Sequence, residues 1–199
     1  VKNKRQWHVP KMRRYLFTNH LIFGFEAQSR PAEYPGLILQ ALGKGCQHYN
    51  VDQLHEKSFH LMEALGGTVI SEAVHRLDIR ADLPGNHIPA VRETLESKRY
   101  IPRSRKYRIM IDEDKKTTIY IGVASAPIQL CIYQKGNATR FEFRFRRKLF
   151  IRREAETLAD IIDDLPALLH HATHKWFRLV TRVPHRRKTS TTPVHPLWK

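Results

Sequence analysis

Along much of this chain, apolar and polar residues alternate one by one. Successive side chains of a strand point to opposite faces of a sheet. In Arg76-Leu77-Asp78-Ile79-Arg80-Ala81-Asp82, the apolar residues share one face, and Arg76, Asp78, Arg80 and Asp82 share the other. In Arg140-Phe141-Glu142-Phe143-Arg144-Phe145-Arg146, three phenylalanines face one way and the charged residues the other. In the segment 128–135, Ile128, Leu130 and Ile132 alternate with Gln129, Cys131, Tyr133 and Lys135. The pattern predicts long strands over 69–83 and 139–150, and further strands over 106–111, 117–123 and 128–135. A strand or two is expected within 15–25, and another at Leu37-Ile38-Leu39, running into a turn at Gly43 and Gly45. Helical spacing predicts a helix over 52–65, with Asp52 as N-cap and Gly66-Gly67 as its end. Shorter helical signals cover 88–98. A longer one covers 153–177, which Pro166 kinks or divides.

These elements predict an α+β fold: an antiparallel sheet with one charged face, and helices 52–65 and 153–177 packed on the other. Gly136-Asn137 lies between two alternating runs and suits a two-residue hairpin loop. Lys135 then faces Ala138, Tyr133 faces Arg140, and Cys131 faces Glu142. Tyr133 and Glu142 become diagonal neighbours on the charged face, about 7–8 Å apart at the backbone. If strand 76–82 lies beside strand 139–148, Asp78 joins Glu142; that adjacency is an assumption.

Charge narrows the class of partner. The 199 residues carry 35 Lys and Arg against 19 Asp and Glu, a net charge of +16. A chain this basic expects a polyanion, and nucleic acid is the commonest, because Lys and Arg release counterions from phosphates. An anionic membrane surface fits less well, since no long basic amphipathic helix stands out. No stretch approaches the ~18 apolar residues of a membrane span, and no signal peptide is visible, so a cytoplasmic protein is expected. Cys46 and Cys131 form no CxxC pair and are expected to be reduced thiols. Three regions are expected: a segment 1–35 that belongs to a truncated domain, a catalytic domain over 36–180, and a basic tail over 181–199 whose Thr and Pro content suggests disorder.

The charged face has the components of phosphoryl-transfer chemistry. Carboxylates in a positive field suit Mg²⁺ or Mn²⁺, which prefer oxygen ligands and need only one or two from protein. A tyrosine hydroxyl within reach can attack phosphorus and form a covalent intermediate. Lys135 and Arg140 beside Tyr133 are expected to lower its pKa and to stabilise charge on the phosphoryl oxygens. The same residues have plainer readings: tyrosine is a good strand former, and acids beside arginines usually form surface salt bridges.

Several motifs in order resemble the replication initiation factor family of plasmids, filamentous phages and integrative elements, over about Gly36 to Leu165. They are Leu42-Gly43-Lys44-Gly45, the strand His75-Arg76-Leu77-Asp78-Ile79-Arg80-Ala81-Asp82, then Thr118-Ile119-Tyr120-Ile121-Gly122, Ile132-Tyr133-Gln134-Lys135 and Arg140-Phe141-Glu142-Phe143-Arg144. The resemblance implies a rolling-circle nickase and strand transferase that becomes joined through tyrosine to a 5′ phosphate. It implies Tyr133 as nucleophile, with Tyr120 in reserve. Asp78 and Glu142 become metal ligands, with Asp82 as a third. Lys135, Arg76 and Arg140 become phosphate or transition-state contacts, and Arg80, Arg144, Arg146, Arg147 and Lys148 extend the DNA-binding surface. The partners implied are origin DNA, a host helicase and a second copy in a homodimer. After Gly122 the family's Ser-Arg is replaced by Val123-Ala124-Ser125-Ala126-Pro127, which removes one arginine.

Other chemistries find less support. There is no P-loop motif and no His-hydrophobe-His motif. His170 and His174 have metal-ligand spacing but sit at a helix end, and Asp160, Asp163 and Asp164 read as solvated acids or helix pairing partners. A non-catalytic DNA-binding regulator on the same sheet is the chief alternative. An RNA-recognition module is disfavoured because Phe141, Phe143 and Phe145 are needed for the core.

Overall fold

The computed structural model describes residues 14–17, 21–25, 37–41, 45–69, 71–102, 106–114, 116–184 and 189–198. Two compact units divide the chain, Val1–Ser71 and Glu72–Lys199.

The first unit contains strands β1 (Arg14–Phe17), β2 (Leu21–Phe25) and β3 (Leu37–Ala41), antiparallel in that order, then helices α1 (Gly45–His48) and α2 (Val51–Ala64). The turn expected at Gly43 lies outside the described residues. Helix α2 starts one residue before Asp52, because Asn50 is its cap: Gln53 N donates to Asn50 Oδ1 at 2.8 Å, and Asn50 N donates to Gln53 Oε1 at 3.1 Å. This reciprocal capping box satisfies two otherwise orphaned donors. Asp52 falls in the first turn instead, where negative charge suits the helix dipole. Leu21 and Leu54 form a small core with Ala41, Tyr49 and Leu61. Helix α2 therefore contributes to this small core.

The second unit is built on a five-stranded antiparallel sheet in the order β4-β9-β8-β7-β6, formed by β4 (Arg76–Pro84), β6 (Tyr107–Ile111), β7 (Thr117–Ile121), β8 (Ile128–Lys135) and β9 (Ala138–Arg146). Strands β6 to β9 form a meander, and β4 joins its far edge. The chain between β4 and β6 carries α3 (Ile88–Glu96) and β5 (Tyr100–Ile101); after β9 come α4 (Arg147–Arg152), α5 (Leu158–His170) and β10 (Arg178–Leu179), which pairs with β5. The assumed neighbour relation holds: Asp78 is opposite Arg144, Arg80 opposite Glu142 and Asp82 opposite Arg140. The hairpin register also holds, with Lys135 opposite Ala138, Tyr133 opposite Arg140 and Cys131 opposite Glu142. Gly136 has a φ of +58°, which a glycine adopts at low cost at the first position of a two-residue loop.

Elements differ from the pattern where local chemistry overrides it. Residues 71–75 are not strand, and β4 begins at Arg76. Strand β9 ends at Arg146, beyond which the chain turns into α4, so that Leu149 and Phe150 enter the core. Helix α5 begins at Leu158, because Thr157 and Asp160 form a second capping box. Its end relaxes into a π-helical stretch, His171–Trp176.

The apolar face of the sheet, including Ile119, Ile121, Leu130, Ile132, Phe143 and Phe145, packs with Val91 and Leu95 of α3, Phe150 of α4 and Ile161 and Leu168 of α5. The fold class is thus α+β, with helices on one face as expected. The tail departs from expectation. Val194 bridges Val180, and Trp198 lies edge-on against Phe141, Phe143 and Phe177 at centroid distances of 6.0, 6.1 and 5.5 Å. Its indole N–H donates to the Thr173 carbonyl at 2.8 Å. A single large aromatic anchors a segment whose composition looked disordered.

Candidate active site

Pairing places the polar side chains in rows across the sheet. One row runs Thr118, Tyr133, Arg140, Asp82; the next runs Arg108, Tyr120, Cys131, Glu142, Arg80; a third holds Gln129, Arg144 and Asp78; and Arg76 faces Arg146 at the end. Asp78 and Asp82 each stand diagonal to Glu142. The three separated segments that carry Tyr133, Asp78 and Glu142 thus meet on one surface.

Tyr133 donates its hydroxyl hydrogen bond to Glu142 Oε2 at 3.0 Å, while Arg144 Nε donates to Glu142 Oε1 at 2.7 Å. Burial pushes the Tyr133 phenol above its ordinary value, and the charge and hydrogen bond of Glu142 push it further; Arg140 acts the other way and is outweighed. This corrects the expectation that neighbouring cations lower it, because burial and the Glu142 carboxylate together outweigh Arg140. For Glu142, burial raises the carboxyl, but Arg144, Tyr133 and Arg76 together hold it below its ordinary value. Arg140 makes a two-point contact with Asp82, Nε to Oδ1 at 2.6 Å and Nη2 to Oδ2 at 2.5 Å. That contact holds Asp82 low and raises Arg140, whose side chain is 5% exposed. Arg76 grips Asp78 in the same forked way at 2.7 and 2.5 Å. Lys135 is exposed two residues beyond Tyr133, and Arg80 is exposed opposite Glu142.

Each of the three carboxylates therefore carries an arginine. Among the described residues, no group of three or more His, Cys, Asp or Glu stands ready to hold a metal ion. The donor chemistry does fit a hard cation, since two carboxylate oxygens on diagonal positions are enough when phosphate and water complete the shell. A cation bound there would compete with Arg76 and Arg144 for the same oxygens.

Tyr120, Arg108, Thr118 and Gln129 share this face; alternation had already set Gln129 beside Tyr133, while the membership of Arg108 and Thr118 was not read from the sequence. The alternation of Thr118 and Tyr120 was the available signal; register with Tyr133 and Cys131 makes them neighbours. The Arg108 guanidinium lies 5.3 Å from the Tyr120 ring centroid. Cys131 is buried on the same face, and burial pushes its thiol up to about 12, so it is an inert filler. His170 and His174 stack at 4.4 Å on the helix end, while Asp160 is the reciprocal partner of the α5 cap Thr157 and Asp164 pairs with Arg153.

Among solved structures, the rolling circle replication initiator protein of Geobacillus stearothermophilus matches with a TM-score of 0.56 and 16% identity, covering 89% of this chain and 71% of that one. In fold, this chain is similar to that initiator. No family model and no curated protein matches the sequence. The initiator fold expected from the motif resemblance is the fold observed, and at this identity the likeness speaks for architecture. No helix of the described residues is long and apolar enough to cross a membrane.

Proposed function

We propose that this chain is a DNA strand transferase that nicks one strand to start rolling-circle replication, with Tyr133 as its nucleophile. The observation that carries this reading is the Tyr133–Glu142 hydrogen bond, set among arginines on the face of a sheet with the initiator fold. Nucleophile and proton acceptor are already within hydrogen-bond reach. As Tyr133 Oη attacks phosphorus, its proton passes to Glu142 Oε2. The new O–P bond forms, the P–O3′ bond breaks, and the 3′ oxygen takes a proton from water. The product is a 5′-phosphotyrosine and a free 3′ hydroxyl. Arg140 and Lys135 flank the phenol and face the charge that develops on the phosphoryl oxygens. Arg76, Arg80, Arg144, Arg146, Arg147 and Lys148 bind the DNA backbone.

Asp78 and Glu142, with Asp82 as a third, would hold Mg²⁺ or Mn²⁺. Such an ion would supply Lewis-acid polarisation of the scissile phosphate.

The test is incubation of the protein with labelled single-stranded origin DNA and Mn²⁺, followed by denaturing electrophoresis. A covalent adduct is expected for the native protein and none for Tyr133→Phe. An equal adduct in the variant moves the nucleophile elsewhere. A second reading, a DNA-binding regulator without nicking activity, is favoured by the arginine held on every one of the three carboxylates. Tight DNA binding without cleavage under either metal would establish it in place of the nickase.

A further inference from the structure

The row at the end of the charged face is the anomaly of the sheet. Arg76 of β4 and Arg146 of β9 stand directly opposite each other. Like charges in that relation are destabilising in a sheet. Arg76 relieves it by folding back onto Asp78. Arg146 is held differently: among the described residues it forms no salt bridge, Asp78 acts on it only through its charge, and its Nε donates to the Ala124 carbonyl at 2.7 Å. That bond fixes the guanidinium in place and leaves the two terminal nitrogens of its fork available. Burial pulls the Arg146 pKa down, and the charges of Arg76 and Arg144 pull it further, outweighing the opposing charge of Asp78. A fixed, partly desolvated cation beside two others gains most from an anion with several acceptor oxygens.

We propose that Arg146, with Arg76 opposite it, holds one backbone phosphate of a single DNA strand about three nucleotides from the phosphate at Tyr133. The proposal rests on the nickase reading and assigns the path of its substrate. Arg146 lies six positions along β9 from Arg140, the partner of Tyr133, which is roughly 20 Å of strand. Phosphates lie about 3.4 Å apart along the axis for each strand of a duplex, and roughly twice that on a stretched single strand, so about three nucleotides span the distance. The strand then runs along β8 and β9, from Lys135 at one end to Arg146 at the other, past Tyr133, Arg140 and Arg144.

The experiment measures binding of a labelled single-stranded oligonucleotide without divalent cation, so that no cutting interferes. A neutral methylphosphonate is placed at each position in turn, and the native protein is compared with Arg146→Gln, Arg146→Lys and Lys135→Gln. Arg146→Gln is expected to weaken binding roughly tenfold at low salt and to lower the slope of log affinity against log salt by about 0.7, the release expected for one single-strand phosphate. Arg146→Lys keeps that slope. One methylphosphonate position should weaken the native protein but not Arg146→Gln. A second position should behave likewise with Lys135→Gln, about four nucleotides away, since Lys135 lies two residues beyond Tyr133. An unchanged slope in Arg146→Gln, the absence of any position coupled to Arg146, or a spacing of one or two nucleotides overturns the proposal. The nickase reading fails separately: paired contacts at the expected spacing with no covalent adduct would leave the phosphate site standing and remove the enzyme.

Discussion

At the scale of single residues, the site stands in a resting state. The Tyr133 phenol holds its proton because burial and Glu142 both favour the neutral form, and Glu142 holds its charge because Arg144 sits on it. Replacing Glu142 with Gln keeps the shape and removes the proton acceptor. Adduct formation is expected to fall by roughly 10²- to 10⁴-fold, the usual range for general acid–base catalysis, while DNA affinity measured without metal stays within a few-fold. Kinetics of adduct formation set beside binding isotherms check this. The paired acids also predict an acid limb in stability. Asp82 and Glu142 have folded-state pKa values below the ordinary 3.8 and 4.5, so the unfolded chain takes up protons first as pH falls. Their contribution is fully present above about pH 5 and is lost as pH drops through the lowered values. Melting temperatures between pH 3 and pH 7 should show the loss, and a variant with Asp82→Asn should show a smaller one.

At the scale of elements, two small features hold long-range packing. Thr157 caps α5 with Asp160 as its reciprocal partner, and α5 delivers Ile161 and Leu168 to the core. Thr157→Ala should cost about 1 kcal/mol in denaturant unfolding, as lost N-caps do. Trp198 joins the C-terminal segment to Phe141, Phe143 and Phe177 on the far side of the sheet from Tyr133. Trp198→Ala should cost about 2 kcal/mol, below the value for a fully buried tryptophan because this one is half-buried. It should leave metal-free DNA binding unchanged. Equal stability of the variant would show that the segment does not dock in solution.

At the scale of the whole molecule, the net charge of +16 acts as a field that draws a polyanion, and the sheet face gives it direction. Affinity for single-stranded DNA is expected to fall steeply with salt, by roughly 300-fold between 50 mM and 200 mM if six phosphates are contacted. Anisotropy titrations at several salt concentrations measure it. The two-faced character of β4, β8 and β9 was legible from alternation alone, because a side-chain period of two leaves no other way to bury Phe141, Phe143 and Phe145 together. The hairpin register was legible for the same reason, once Gly136-Asn137 marked the turn. Three matters were decided only by the tertiary structure. Local pattern carries no information on which strand lies beside β9, and long-range pairing brought Asp78 and Asp82 to either side of Glu142. Composition made the C-terminal segment look unstructured, and a distant cluster of aromatic rings gave Trp198 a place to bind. The hairpin register already made Tyr133 and Glu142 neighbours, but the protonation of Tyr133 depends on how deeply the phenol is buried and on how Glu142 and Arg140 balance, and only the packed structure decides that.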